Sequence, residues 1–143
     1  MRTLLLILHV VTSIFVIGPL AAVGNQTARA LTSGDASVLR YQSRLVTIYG
    51  WASLVVGLLG VALVRGAWGV TFDEAWIIAS LVLFVVASAI VLGLLAPRLR
   101  RAAETAESGQ PTRDMVARVA PLAGIVSLLY ITIAVLMVYY HGD

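Results

Sequence analysis

His9 is the one histidine set within an apolar run of this chain, and it carries the strongest chemical signal in the sequence. An imidazole in hydrocarbon needs a partner, a cavity or a cofactor to offset its desolvation. Thr12 and Ser13, three and four residues on, place hydroxyls on the same helical face and extend it inward. By depth His9 is level with Leu136 and Met137 in the last apolar run, where a ligand could be shared. Imidazole and thioether together form a known haem-iron donor pair, so His9 and Met137 are the candidate cofactor-binding residues. His141 falls near the same side but close to the terminus, and reads as interfacial. Ser13, Ser53, Ser88 and Ser127 each lie near the middle of their own apolar run. They either form a ring of hydroxyls at one depth or simply bond back to their own helices. Tyr130 is the remaining polar group that hints at a path.

Other chemistry is sparse. No acidic residue falls within an apolar run, which argues against transport that depends on an intramembrane carboxylate. There is no cysteine, no metal-ligand spacing, no Ser/His/Asp set and no glycine-rich phosphate loop. Neither a metal site nor a catalytic residue is expected, and an enzyme is the less favoured reading of the chain. Nucleic acid is an unnecessary hypothesis at a formal charge of +3.

These residues must be positioned by membrane helices. With 60% hydrophobic and 12% charged residues, the composition lies far from a soluble domain, where about a quarter of residues are charged. Residues 3–24 form a stretch of about 22 residues without a formal charge, enough to cross a core of roughly 30 Å. Further spans are expected at about 45–65, 75–96 and 116–140, giving an all-α, antiparallel bundle of four transmembrane helices that makes one domain, 1–143. Pro19 should kink the first helix near Phe15. Beyond Gly24 the polar segment NQTARALTSGDAS reads as a loop, with Gly34 as helix stop and Asp35 as the next N-cap. In the second helix Gly50, Ser53, Gly57 and Gly60 share a face and should admit another helix closely, from this chain or a second copy. Thr71 with Glu74 forms a capping box before the third helix.

Eight of the 10 basic residues, all of them arginine, belong to the first and third connections. The positive-inside rule then puts those connections in the cytoplasm, and both termini and the Trp68 loop outside, in a plasma (inner) membrane crossed several times. Trp68, Trp76, Tyr139 and Tyr140 fall near the outer interface, where amphipathic rings are favoured. A cleavable signal peptide is rejected, because the apolar stretch is longer than the usual h-region and cleavage would leave Arg29, Arg40 and Arg44 outside. Arg98, Arg100 and Arg101, partly offset by Glu104 and Glu107, are expected at the lipid headgroups.

The LLLILHVV opening, GDASVLR before the second helix, LAPRLRR after the third and the VLMVYYHG ending occur in an order that resembles a bacterial membrane family, domain-of-unknown-function family 2269. That family is distantly related to the copper-resistance protein CopD and to the haem-binding protoporphyrinogen oxidase HemJ, which share a histidine early in the first helix. The resemblance implies haem b as a cofactor and His9 as the matching position. The oxidase also uses a lysine in a later helix. This chain has none, so a second ligand must differ, with Met137 the first candidate. Copper handling would need more ligands than Met115, Met137, His9 and His141 supply. Three functions follow: a structural or accessory membrane component, as a homo-oligomer or in a complex, which asks least of the residues; a haem or other cofactor binder at His9; and a small-solute or metal transporter.

Overall fold

The computed structural model describes residues 2–66 and 72–140, and among them every regular element is a helix. Helix α1 spans Arg2–Ser33, α2 Ala36–Gly66, α3 Ala75–Ile90, α4 Ala96–Glu107 and α5 Val116–Tyr139. A wide π-turn at Val91–Leu95 joins α3 to α4, and a short 3-10 turn at Arg113–Met115 leads into α5. The described residues therefore hold 4 helical segments long and apolar enough to cross a membrane, of 31, 29, 33 and 27 residues. At 1.5 Å per residue each is about 40–50 Å long, more than a bilayer core of roughly 30 Å. Their ends must project.

The first polar connection is where the sequence reading fails. Residues 25–33, expected as loop, continue α1 without interruption. Polarity alone does not end a helix when its hydroxyls find partners inside it: Thr27 Oγ1 donates to the Val23 carbonyl at 2.9 Å and Thr32 Oγ1 to that of Ala28 at 2.8 Å. The stop comes at Gly34, whose φ of +65° is costly for a residue with a Cβ. Asp35 then caps α2, its Oδ1 accepting from the Ser37 amide at 2.9 Å and the Val38 amide at 3.2 Å. The Ser37 hydroxyl and these amides hold the Asp35 carboxyl below the usual carboxylate range. A depressed carboxyl stabilises the folded state fully above its unfolded value and loses that contribution as pH falls toward its folded one. Amide-exchange protection at Ser37 and Val38 should thus be flat through neutral pH and fall only below the ordinary carboxylate range. Asp35→Ala should remove it at every pH.

The third span holds the second departure. Pro97 cannot donate to the Gly93 carbonyl, and its ring crowds that oxygen. The chain widens just before it: Ala96 N–H reaches back to Val91, and the helix resumes as α4 through Glu107. The expected end near Ala96 is therefore only a change of turn.

Helix α1 packs between α2 and α5, and α3 lies along α5. By contrast α2 runs beside α4 and the wide turn, and touches α3 only briefly. At the arginine-rich end the core is tight: Leu31, Leu39, Leu99, Ala102 and Ala103 are fully buried, and Thr112 Oγ1 donates to the Leu31 carbonyl at 2.6 Å. Arg40 at the head of α2 forms a two-pronged contact with Glu107 at the end of α4, with Nε to Oε1 at 2.9 Å. At the opposite end α2 and α3 diverge, and a space opens between them. The outer faces are apolar, with Phe15 71% and Leu58 69% exposed, as lipid contact requires. The capping-box residue Thr71, the Trp68 loop and His141 lie outside the described residues. Glu74 is instead the residue before α3, and its Oε2 accepts from the Trp76 indole at 2.6 Å.

Candidate ligand cavity

The small residues of α2 build one wall. An added Cβ on Gly50 would lie 2.7 Å from Leu92 Cδ2, on Gly57 2.5 Å from Phe84 Cε1, and on Gly60 3.2 Å from His9 Cε1. Gly50 thus meets the wide turn, Gly57 the ring of α3, and Gly60 the imidazole of α1. Ser53 is fully buried on the same stripe and donates to the Gly50 carbonyl at 2.7 Å. Only glycine lets Phe84 and His9 come this near to α2.

His9 is half-buried, and its Nδ1 lies 3.2 Å from the Val56 carbonyl of α2. A carbonyl can only accept, so this contact makes Nδ1 the protonated nitrogen and leaves Nε2 with its lone pair. Nε2 has no hydrogen bond among the described residues. The neighbouring hydroxyls do not extend a polar face inward: Thr12 and Ser13 donate to the Leu8 and His9 carbonyls of their own helix. The imidazole therefore leans on α2, not on α5 as its depth suggested.

Across from it lies a cavity of about 490 Å³ lined by all four spans, within the range of small-molecule sites. His9 and Met137 both border it, as do Tyr130, Ser80, Phe84 and Trp76. The Phe84 and Tyr130 rings meet edge to face at 6.5 Å between centroids. Trp76, which borders the cavity, is tied to Glu74 and stacks on Tyr140 at 6.2 Å. Ile14 and Leu81 border the cavity yet are exposed on the outer surface, so it opens sideways onto the lipid face.

The polar groups of this region are buried and short of partners. Tyr130 is 7%, Ser80 5% and Ser88 6% exposed, and none of their side-chain oxygens has a hydrogen bond in the protein. Ser53 and Ser88 approach the Tyr130 hydroxyl closely enough to act on it, but neither completes a hydrogen bond of good geometry. Buried hydroxyls in native proteins are nearly always satisfied, by water or ligand if not by protein. The four mid-helix serines do not close into a ring of hydroxyls: Ser13 and Ser53 bond to their own helices, while Ser127 sits against Gly24. Ser80, Trp76 and Phe84 were not legible as site residues, because nothing in an apolar sequence marks which side of α3 meets α2. The one usable signal is the pairing of a bare Gly57 with a bulky ring somewhere opposite.

The arginine cluster is divided. At 100° per residue along α4, Arg98 and Arg100 point to nearly opposite sides. Arg98 Nη1 donates to the Arg118 carbonyl at 2.9 Å, whereas Arg100 stands 3.7 Å from Glu104.

Residues 3–140 match a family profile described as predicted integral membrane protein, DUF2269. No curated protein and no solved structure matches the chain.

Proposed function

We propose, from the premise that the chain belongs to the DUF2269 family of predicted integral membrane proteins, that it binds a small molecule or cofactor in the His9 cavity. The observation that carries this reading is the Nδ1 contact to the Val56 carbonyl, which fixes the ring and leaves Nε2 for an occupant of the cavity. Metal-ligating histidines are commonly held in this way by a carbonyl at their other nitrogen. A purely structural bundle has no use for about 490 Å³ of open space lined by two unpartnered hydroxyls, those of Ser80 and Tyr130.

Haem b is the occupant that the resemblance of the first helix implies, and the donor set suits its iron: an imidazole with a free nitrogen and a thioether bordering one cavity. His9 and Met137 would hold the iron, and bound haem would bring one-electron transfer. The protein's own part is to orient His9 through Val56, keep water away with Ile17, Phe84 and Ile133, and present Tyr130 and Ser80 as donors to an oxygen of the occupant. Absorbance spectra of the protein purified in detergent, with and without dithionite and after haem addition, test this directly. A Soret band that shifts on reduction is expected; a protein that stays colourless after haem addition removes haem and leaves a colourless small molecule or the structural or accessory role.

The same reading sets the protein in a bacterial plasma membrane with both termini outside, supported by the arginine distribution. Cysteines at Ser108 and Trp68 would distinguish the sides. A membrane-impermeant thiol reagent on intact cells should label the Trp68 site alone, and labelling of Ser108 alone would reverse the orientation.

A further inference from the structure

A second recess lies on the opposite end of the molecule, where α2 and α4 meet. We infer that the groove between Arg40, Arg44 and Arg100 binds the phosphate headgroup of an anionic phospholipid. The groove measures about 310 Å³ and is completed by Ser43, Thr47 and Ile48. Its hydroxyls are committed as donors: Ser43 Oγ to the Arg40 carbonyl at 2.9 Å and Thr47 Oγ1 to the Ser43 carbonyl at 2.8 Å. Every donor left to a ligand is therefore a guanidinium, and such a site takes a group that only accepts, as a phosphate diester does.

The guanidiniums are not equivalent. Arg40 is held in place by Glu107 through Nε and Nη2, and its Nη1 takes no part in that contact. Arg100 is only loosely matched by Glu104 at 3.7 Å. Arg44 has no ion pair or hydrogen bond among the described residues. Two carboxylates thus face three cations, and Arg44 is the one left over.

What makes the ligand a lipid is the continuation of the groove. Ile48, one turn deeper than Arg44, is 61% exposed, and Trp51, Val55 and Leu58 carry the same exposed face onward at 62%, 53% and 69%. Spacings of three and four residues align them in one stripe along α2. A phosphate at Arg44 and Arg100 would leave an acyl chain lying along that stripe. A free phosphate ion would use the head of the groove alone.

Native mass spectrometry of the full chain in detergent tests this, with titrations of palmitoyl-oleoyl phosphatidylglycerol, phosphatidylcholine with the same chains, and inorganic phosphate. Phosphatidylglycerol should be retained over both. Arg44→Gln with Arg100→Gln should weaken its retention on the order of twentyfold. Arg101→Gln with Arg113→Gln, which removes equal charge outside the groove, should change it by less than about twofold. Equal losses in the two double variants would show a diffuse surface charge and overturn the site. Retention of inorganic phosphate as strong as that of phosphatidylglycerol, or no preference over phosphatidylcholine, would overturn the lipid assignment.

Discussion

His9→Ala should abolish the absorbance band of the haem-loaded protein and weaken haem binding by more than a hundredfold. Loss of a residue that merely orients a ligand costs about 10–100-fold in metal affinity, and loss of the ligand itself exceeds that. Gly60→Ala makes a graded companion. Its Cβ would sit 3.2 Å from His9 Cε1, so the ring must give by a few tenths of an ångström, which should perturb the spectrum without erasing it. The pair separates ligation from packing. If His9→Ala kept the full band, His9 would not be the ligand, and the Nδ1 contact to Val56 would be structural only.

Gly57→Leu should lower stability in detergent by about 1–3 kcal/mol, the range for overpacking a filled site. The first added carbon already falls 2.5 Å from Phe84 Cε1 and 2.7 Å from its Cζ. A displaced Phe84 ring must also give up its edge-to-face contact with Tyr130. The double variant Gly57→Leu with Phe84→Ala should recover part of the loss, since the leucine then occupies the place of the ring. A lipid-facing glycine would show neither the loss nor the recovery. Gly50→Leu should behave similarly against Leu92 and Val91.

Much of the architecture was legible because hydropathy is a strong signal over lengths of 20 residues or so. The four spans follow from it, as does the all-helical character of the described residues, and Gly34 with Asp35 marks the break between the first two helices. The helix ends were not legible in the same way. Residues 25–33 look like loop by polarity, yet Ala30 and Leu31 are buried and the hydroxyls of Thr27 and Thr32 are satisfied within the helix. Pro97 announces a local change, but whether it ends the helix or widens a turn depends on what α2 and α5 offer to pack against.

The site divides along the same line. His9 stands out by residue type, and the small stripe of α2 by spacing. Which helix the imidazole leans on was lost, since depth in the membrane orders residues along one axis and says nothing about azimuth. Met137 shares the cavity with His9, but Val56, Ser80 and Phe84 are ordinary residues whose part comes only from the divergence of α2 and α3. The arginines divide in the same way: neighbours in sequence, Arg98 and Arg100 face different helices, and Arg100 joins Arg40 and Arg44 from α2.

The central claim is that the cavity beside His9 holds a small molecule, and native mass spectrometry of the protein taken from its own membrane tests it most directly. Wild type should carry one small molecule per chain. Ser80→Leu, which places a larger side chain into the space that Ser80 borders, should release it while folding with an unchanged helical circular-dichroism spectrum. Wild type that emerges with no bound small molecule, and takes up none when haem is supplied, would contradict the account.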